Sequence, residues 1–597
     1  MSNPSTRPHL RNVYNTFQHG LAISPNRPFV GERAWDPISK TYGPYEWQTY
    51  IEIDARATRF GSGLIHLHQQ SNRLSEPAQG WSVGIWSINR TGWTTTDIAC
   101  VAYNLVSVGL YDTLGPEAVT YGINHSECSI VVTSADHIAS LLRDAGNMPG
   151  LKTIISMYSL KGPADSKVVS GSELAGPILC TFAADKGVQL LDWDEVEALG
   201  QLHERQHTLL DPRTPSLSAI PVVPPACLPL SADDCVISYL PTAYLYGRVM
   251  EIFLLLNRIY ARVYAATAEA PGLAGVLARK GLSVKLANLE AGLENKHALW
   301  DRLLFNKVRM ALGGRVDKIL TGSFPVAAEV LSFIRVAFIV DIAEAYGMTE
   351  NSASATLTQR EELEAGHVGP PSPNDEIKSV DVAELNYFST HKPYYRGEIC
   401  TCGPATFPGY LKDEKKTKEA IDEEGWLHTG DIGFFKENGT LTIIDRMKNV
   451  FKLSIGEYVA VEKVENQIAT KLPLALQLFI HGGSVETCLV AVVVPDPDTF
   501  PAFVSKVEEG TAITNTIYQD SKLRRAVLKE ITLAAQAASL KSFEIPKALL
   551  IEPVPFTIEG GMLTPTLKIK RHPVVQAYRK QIDELYREIR SRADSKL

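Results

Sequence analysis

No stretch of this 597-residue chain approaches the run of about 20 apolar residues that a membrane-crossing helix needs. The longest apolar stretches lie around Phe333–Ile342 and Cys488–Val494, so no transmembrane span is expected. A basic excess is also missing. Lys and Arg number 59 against 67 Asp and Glu, a net charge of −8, which leaves no electrostatic footprint for nucleic acid. Cysteine is sparse, with eight residues and no zinc-type repeat of pairs. Cys400 and Cys402, flanking Thr401, are the one close pair, and neither histidine nor further cysteine stands near them in the chain to complete a metal site. Mostly buried, reduced thiols are expected. The first residues, Met1-Ser2-Asn3-Pro4-Ser5, carry no apolar signal core.

What is present suits a folded α/β protein. The hydrophobic fraction is 45% and the charged fraction 21%, and the length points to three or more packing units, several of which can fuse into one lobe. Trp81–Trp86 reads as a strand, Thr94–Val108 as a helix with Ile98, Val101, Ala102, Leu105 and Val108 near one face, and Ile130–Thr133 as the next strand. Such alternation argues a parallel sheet with covered faces. Pro212, Pro215, Pro221, Pro224, Pro225 and Pro229 then crowd a linker-like span. A helical pattern over Leu254–Leu312, interrupted at Pro271-Gly272, is followed by strands at Val316–Thr321, Ile334–Ile342 and Thr440–Ile444. Beyond Asp445 a smaller α/β unit is expected, with Leu478–Ile480 paired to Leu489–Val494, a helix near Ser521–Ala538 and a last helix over Val574–Arg592.

Four local constellations carry chemistry. Tyr346-Gly347-Met348-Thr349-Glu350 follows an expected strand, where open α/β sheets hold ligands. Its Thr hydroxyl can donate to a phosphate oxygen and its Glu can bind a hard cation such as Mg²⁺. In Gly425-Trp426-Leu427-His428-Thr429-Gly430-Asp431, a carboxylate after a Gly-rich bend can accept two ribose hydroxyls. Asp445-Arg446-Met447-Lys448-Asn449, with Ser454-Ile455-Gly456-Glu457 close behind, joins cations to a small-residue turn. Lys568, in Leu563-Thr564-Pro565-Thr566-Leu567-Lys568, is a point charge for phosphate held on a loop. The final tripeptide Ser595-Lys596-Leu597 matches the address read by the peroxisomal import receptor, so a peroxisomal location is expected.

In this order and spacing the four motifs resemble the adenylate-forming (AMP-binding) superfamily, and within it the eukaryotic and fungal long-chain acyl-CoA synthetases. Tyr111–Pro116, Tyr239–Tyr244, Leu320-Thr321-Gly322-Ser323 and Arg396–Cys400 agree with it, and the resemblance runs from about Tyr45 to Arg571. It implies an α/β fold with a large multi-sheet N-terminal lobe over residues 1–444 and a small α+β C-terminal lobe over 445–597. It implies an ATP- and CoA-dependent ligase that adenylates a fatty or fatty-acid-like carboxylate and passes the acyl group to CoA, possible partners including the acids of a peroxisomal specialised-metabolite pathway. By motif, Glu350 holds Mg²⁺, Thr349 the α-phosphate and Asp431 the ribose. Gly322, Ser323, Tyr346 and Gly347 line the nucleotide, Asp445 is the hinge and Arg446 a nucleotide contact. Lys568 stabilises charge during adenylation, and Ser454, Gly456 and Glu457 help build the CoA-facing surface. Lys568, Glu350 and Arg446 form the catalytic set.

The chain departs from that pattern in two places. Where the superfamily has a Gly-rich loop ending in Pro-Lys-Gly, Thr214–Pro225 contains neither Gly nor Lys. Around residues 253–255 two family segments are nearly adjacent. The N-terminal lobe is therefore expected to be incomplete near 212–228 and 253–255, and an impaired pseudoenzyme that binds acyl-CoA or AMP is the alternative reading.

Overall fold

The computed structural model describes residues 13–594 apart from 37–38, 73–79, 111–115, 161–174, 209–259, 261–262, 265, 269, 323–325, 353–354, 360–361, 374, 389, 508–516, 559 and 565–567. The proline-rich span, both expected gaps, Tyr239–Tyr244, Ser323 and Ser595–Leu597 thus lie outside the described residues. The chain divides into two compact units. On the described residues, the first holds 13–208 with 408–413 and the second 260–407 with 414–594.

The first unit begins with an antiparallel ribbon, β1 (Pro28–Asp36) and β2 (Thr41–Thr49). Its centre is a five-stranded parallel sheet of β3 (Ser82–Trp86), β4 (Val106–Leu110), β5 (Ile130–Thr133), β6 (Thr153–Ser156) and β7 (Gln189–Asp192), in the order β4-β3-β5-β6-β7. Apolar cores cover both faces, as the alternating pattern requires. The helix Tyr50–Ser71 starts at a capping box, in which Glu52 N–H reaches Thr49 Oγ1 at 3.4 Å and Thr49 N–H reaches Glu52 Oε2 at 2.7 Å. It crosses the helix Trp193–Leu202 closely because Gly63 and Gly200 sit at the contact. A Cβ on either would strike the backbone of the opposite helix. The helix expected over Thr94–Val108 is shorter, Thr91–Ala102. Asn104 turns the chain at φ 55°, and Val106–Val108 belong to β4.

Among the described residues the second unit carries four sheets. β8 (Lys318–Gly322), β9 (Asp341–Tyr346) and β10 (Thr356–Leu357) form one, with β8 and β9 parallel. β11 (Glu376–Val380), β12 (Arg396–Cys402), β13 (Leu427–Phe435) and β14 (Leu441–Arg446) form an antiparallel meander. Tyr346, Ala355, Ile399 and Leu441 share one buried cluster, which ties the first of these sheets to the meander. β15 (Val450–Lys452) pairs with β16 (Tyr458–Ala460), and β17 (Ala475–His481), β18 (Val490–Pro495) and β19 (Ala548–Ile551) form a mixed sheet. Period-2 alternation sends Leu478, Ile480, Ala491 and Val493 to one core and Phe479, Val490, Val492 and Val494 to another. The β17–β18 pairing and the helix Ser521–Ala537 agree with the sequence reading.

The strand expected at Ile334–Ile342 is instead the end of a helix, Ala328–Phe338, followed by a reversal at Ile339 (φ 57°). Within the stretch expected as strand, Ile334, Val336, Ala337 and Phe338 are apolar and buried with Arg335 among them, and the helix's other polar positions, Glu329 and Ser332, lie before that stretch. A short apolar run of that kind has no periodicity to separate helix from strand. Beneath it lies Lys285, 1% exposed, whose Nζ donates to Asp301 Oδ1 at 2.5 Å and Val336 O at 2.6 Å. Lys285→Ala removes the donor to both acceptors and leaves a void. A stability loss of about 3 kcal/mol is expected, seen as a lower midpoint in chemical denaturation.

Candidate functional site

The site is built within the second unit. After β9, Thr349–Asn351 form a single 3₁₀ turn. Asn351 Oδ1 accepts from Met348 N–H at 2.7 Å, Phe407 N–H donates to Glu350 O at 2.7 Å, and the Ser352 hydroxyl donates to Ala405 O at 2.6 Å. These bonds fix the turn to the chain beyond β12, so Thr349 and Glu350 are presented by a short but anchored loop.

Asp431 is presented by an irregularity in the meander. The β12–β13 register breaks between Glu398 and Cys400, and Gly430 there takes φ 69°, which favours glycine. Glu398 spans the break: its Oε1 accepts from Gly430 N–H at 3.0 Å and its Oε2 lies 2.8 Å from His428 Nδ1. The Thr429 hydroxyl donates to Ile399 O at 2.6 Å and accepts from Asp431 N–H at 3.1 Å.

Asp431 is buried, yet both its oxygens are engaged. Oδ2 accepts from the Tyr346 hydroxyl at 2.9 Å, and Oδ1 lies 3.2 Å from Arg446 Nε, its partner in register on β14. Burial raises the Asp431 carboxyl pKa, while Arg446, the Tyr346 hydroxyl and Lys568 oppose the rise. Burial and then the Asp431 charge hold the Tyr346 phenol well above its ordinary value. Burial disfavours the Arg446 cation, but Asp431, Glu462, Tyr346 and Glu350 outweigh it and raise its pKa.

Lys568 sits in a closed loop, where Thr564 N–H donates to Lys568 O at 2.7 Å, Lys568 N–H donates to Thr564 Oγ1 at 3.0 Å and Leu563 bridges Ile569. Its ammonium is pulled down to about 8, by burial first and then by Arg446, with Glu462 and Asp431 acting the other way. Tyr346, Glu350, Asp431, Arg446 and Lys568 therefore form one electrostatic group, although more than 200 residues separate the first from the last. Such a group, cations and a fixed carboxylate around one locus, suits a ligand with both hydroxyls and phosphates.

The other expected residues are placed as follows. Thr349 opens the turn that carries Glu350, and Gly347 precedes that turn. Gly322 ends β8 opposite Ala345, next to Tyr346. Ser454, Gly456 and Glu457 belong to a separate turn between β15 and β16, closed by Leu453 N–H to Glu457 O at 2.8 Å, with Gly456 at φ 91°. Asp445 is buried, its Oδ1 accepting from Arg446 N–H at 2.7 Å and its Oδ2 from Glu462 N–H at 3.2 Å. Burial and then Glu462 push its carboxyl up to about 7.

Two participants escaped the sequence reading. Glu398 and Glu462 act through strand register and a helix start, neither of which a linear motif displays. His428, given no role from sequence, is the partner of Glu398. Along the chain no histidine stands near Cys400, but across β12–β13 His428 pairs with it, with Nδ1 at 3.5 Å from Sγ.

The profile of the family described as AMP-binding enzyme matches residues 17–188 and 217–411. Long-chain-fatty-acid–CoA ligase 5 of Rattus norvegicus is 35% identical, over 97% of this chain and 89% of that protein. The peroxisomal acyl-CoA ligase 891 of Penicillium brevicompactum is 34% identical, over 97% of this chain and 90% of that protein. The rat alignment runs over 642 positions, more than the 597 residues available here, so that ligase has residues without a counterpart in this chain. In fold, the A-PCP didomain of carboxylic acid reductase from Segniliparus rugosus, solved in complex with AMP, matches 99% of this chain and 85% of its own at a TM-score of 0.73 and 22% identity. The multi-sheet α/β fold expected from sequence is thus that of adenylate-forming enzymes. Matched by the family profile over more than half its length and by two ligases over nearly all of it, the chain belongs to the AMP-binding enzyme family.

Proposed function

We propose that this chain is an ATP-dependent, AMP-forming acyl-CoA ligase for fatty or fatty-acid-like carboxylates. The observation that carries the reading is the convergence of Asp431, Tyr346, Arg446, Glu350 and Lys568 on one locus. In the first step the carboxylate oxygen attacks the α-phosphorus of ATP and pyrophosphate leaves. In the second the CoA thiol takes the acyl group and AMP leaves. Asp431 accepts the ribose hydroxyls, Thr349 the α-phosphate, and Glu350 is the ligand for Mg²⁺. Arg446 and Lys568 face charge that develops on the phosphate, where fixed cations in a partly dry site act without reorganisation. Ser454, Gly456 and Glu457 serve the CoA-facing surface, and residues 445–597 act as a small lobe turning about Asp445. That boundary falls inside the second compact unit.

The relatives that match nearly the whole chain are named as ligases, and nothing among them favours the impaired binder suggested by Thr214–Pro225. The deciding measurement is pyrophosphate release from ATP by purified protein across a panel of long-chain acids. Release that depends on both acid and Mg²⁺ is expected. A folded protein that binds ATP but releases none with any acid overturns the ligase reading. A peroxisomal location is part of the proposal. The relatives from Penicillium brevicompactum and Arabidopsis thaliana are named peroxisomal, and the final Ser595-Lys596-Leu597 suits the import receptor. Removing Leu597 is expected to release a fluorescent fusion from peroxisomes into the cytosol, and an unchanged punctate pattern contradicts the assignment.

A further inference from the structure

The antiparallel meander holds a second cluster, which shares Glu398 with the bulge behind Asp431 but has a thiol and an imidazole to which the ligase reading gives no role. Cys400 on β12 is fully buried, with His428 on β13 beside it and Glu398 two residues back along β12. Their ligand atoms, Sγ, one imidazole nitrogen and a carboxylate oxygen, all lie within 4.8 Å of one another. We propose that Cys400, His428 and Glu398 form a binding site for a borderline-soft divalent cation of the zinc class.

Three observations support the assignment. The first is spacing. Zn–S bonds of about 2.3 Å and Zn–N bonds of about 2.0–2.1 Å at a tetrahedral angle put sulfur and nitrogen about 3.5 Å apart. The Cys400 Sγ to His428 Nδ1 distance is 3.5 Å. Glu398 Oε2 lies 2.8 Å from the same nitrogen and must open by only about 0.6 Å to reach the tetrahedral edge. The second is the far side of the imidazole. His428 Nε2 lies 3.6 Å from Asp422 Oδ2, just beyond hydrogen-bond distance, so a small approach would supply the carboxylate that orients a metal-bound histidine. The third is charge. Lys378, opposite Cys400 on β11, is neutralised, with Asp422 at 3.9 Å, Glu424 at 3.6 Å and the Trp426 ring 4.3 Å away. Glu398, Asp422 and Glu424 therefore outnumber the one local cation. On binding, the thiol proton leaves to solvent and the thiolate joins the metal. Sulfur, imidazole and carboxylate together favour zinc-like ions over Mg²⁺, which takes oxygen ligands.

The test uses the full chain, stripped with chelator and titrated with Co²⁺ as a spectroscopic stand-in for zinc. The expected result is a near-ultraviolet thiolate-to-cobalt charge-transfer band that saturates at one Co²⁺ per chain and is displaced by Zn²⁺. This readout is independent of ligase activity, and Co²⁺ at a nucleotide-associated Mg²⁺ site produces no such band. Cys400→Ser and His428→Gln are each expected to weaken Zn²⁺ binding by at least about 100-fold, while Cys180→Ser, at an exposed cysteine elsewhere, preserves the band. If either variant fails to fold, the unaltered protein still decides the matter: absence of the band in folded, reduced protein overturns the proposal. So does a band that survives Cys400→Ser.

Discussion

Lys568→Met is expected to slow acid-dependent pyrophosphate release by about 10²–10³-fold, the usual effect of removing one preorganised charge from a developing oxyanion. Methionine keeps most of the stem, so the loss isolates the charge. The lysine is pinned by its backbone to Thr564 and lies in the field of Arg446, Asp431 and Glu462. Thioester formation from a pre-made acyl-adenylate and CoA is expected to change far less, because the pyrophosphate has already gone. Equal losses in both half-reactions would remove Lys568 from the adenylation step. The pH dependence has a definite sign. With the ammonium pulled down to about 8, kcat/KM for ATP falls as pH rises through 8, and that limb disappears in Lys568→Met. Stability moves the opposite way. Between about 8 and the ordinary lysine value the unfolded chain holds the proton and the native protein does not, so the Lys568 contribution to native stability increases with pH across that window.

Asp431→Ala is expected to lower kcat/KM for ATP by about 10²–10⁴-fold, since two charge-assisted ribose contacts are each worth about 1.5–3 kcal/mol. The substitution also strips the Tyr346 hydroxyl of its acceptor inside a buried cluster and leaves Arg446 without its in-register carboxylate. Part of the loss is therefore structural, and Tyr346→Phe separates the two. It removes only the hydroxyl donor, and its effect on ATP use is expected to stay within about tenfold. An Asp431→Ala protein with native thermal stability and an unaltered KM for ATP would rule out the ribose role.

The motifs around Tyr346–Glu350, Gly425–Asp431, Asp445–Arg446 and Lys568 were legible because each is contiguous and rich in glycine or charge. Several elements were legible for the same reason of locality. Ile130–Thr133 is strand β5, as its β-branched run suggests, and Ser521–Ala537 shows its helical period plainly. The Ile334–Ile342 segment misled because it holds only the last, buried part of the helix, while Glu329 and Ser332, which mark its period together with Arg335, lie before it. Glu398 and His428 were not legible as a pair, since what unites them is pairing register, and a one-residue shift would send their side chains to the other face; Glu462 meets Asp445 only where a helix start packs beside β14.

The amino-acid sequence by itself determined the chemistry available to this protein: its superfamily, the α/β character of its units and the residue types that face nucleotide and acid. Those are properties of local pattern and composition. The tertiary structure alone decided which of those residues share one field, how Glu398 and a bulge at Gly430 hold Asp431 against Tyr346 and Arg446, and that Cys400 meets His428 across two strands. Such meetings depend on register and on the packing of distant segments, which a linear pattern does not encode.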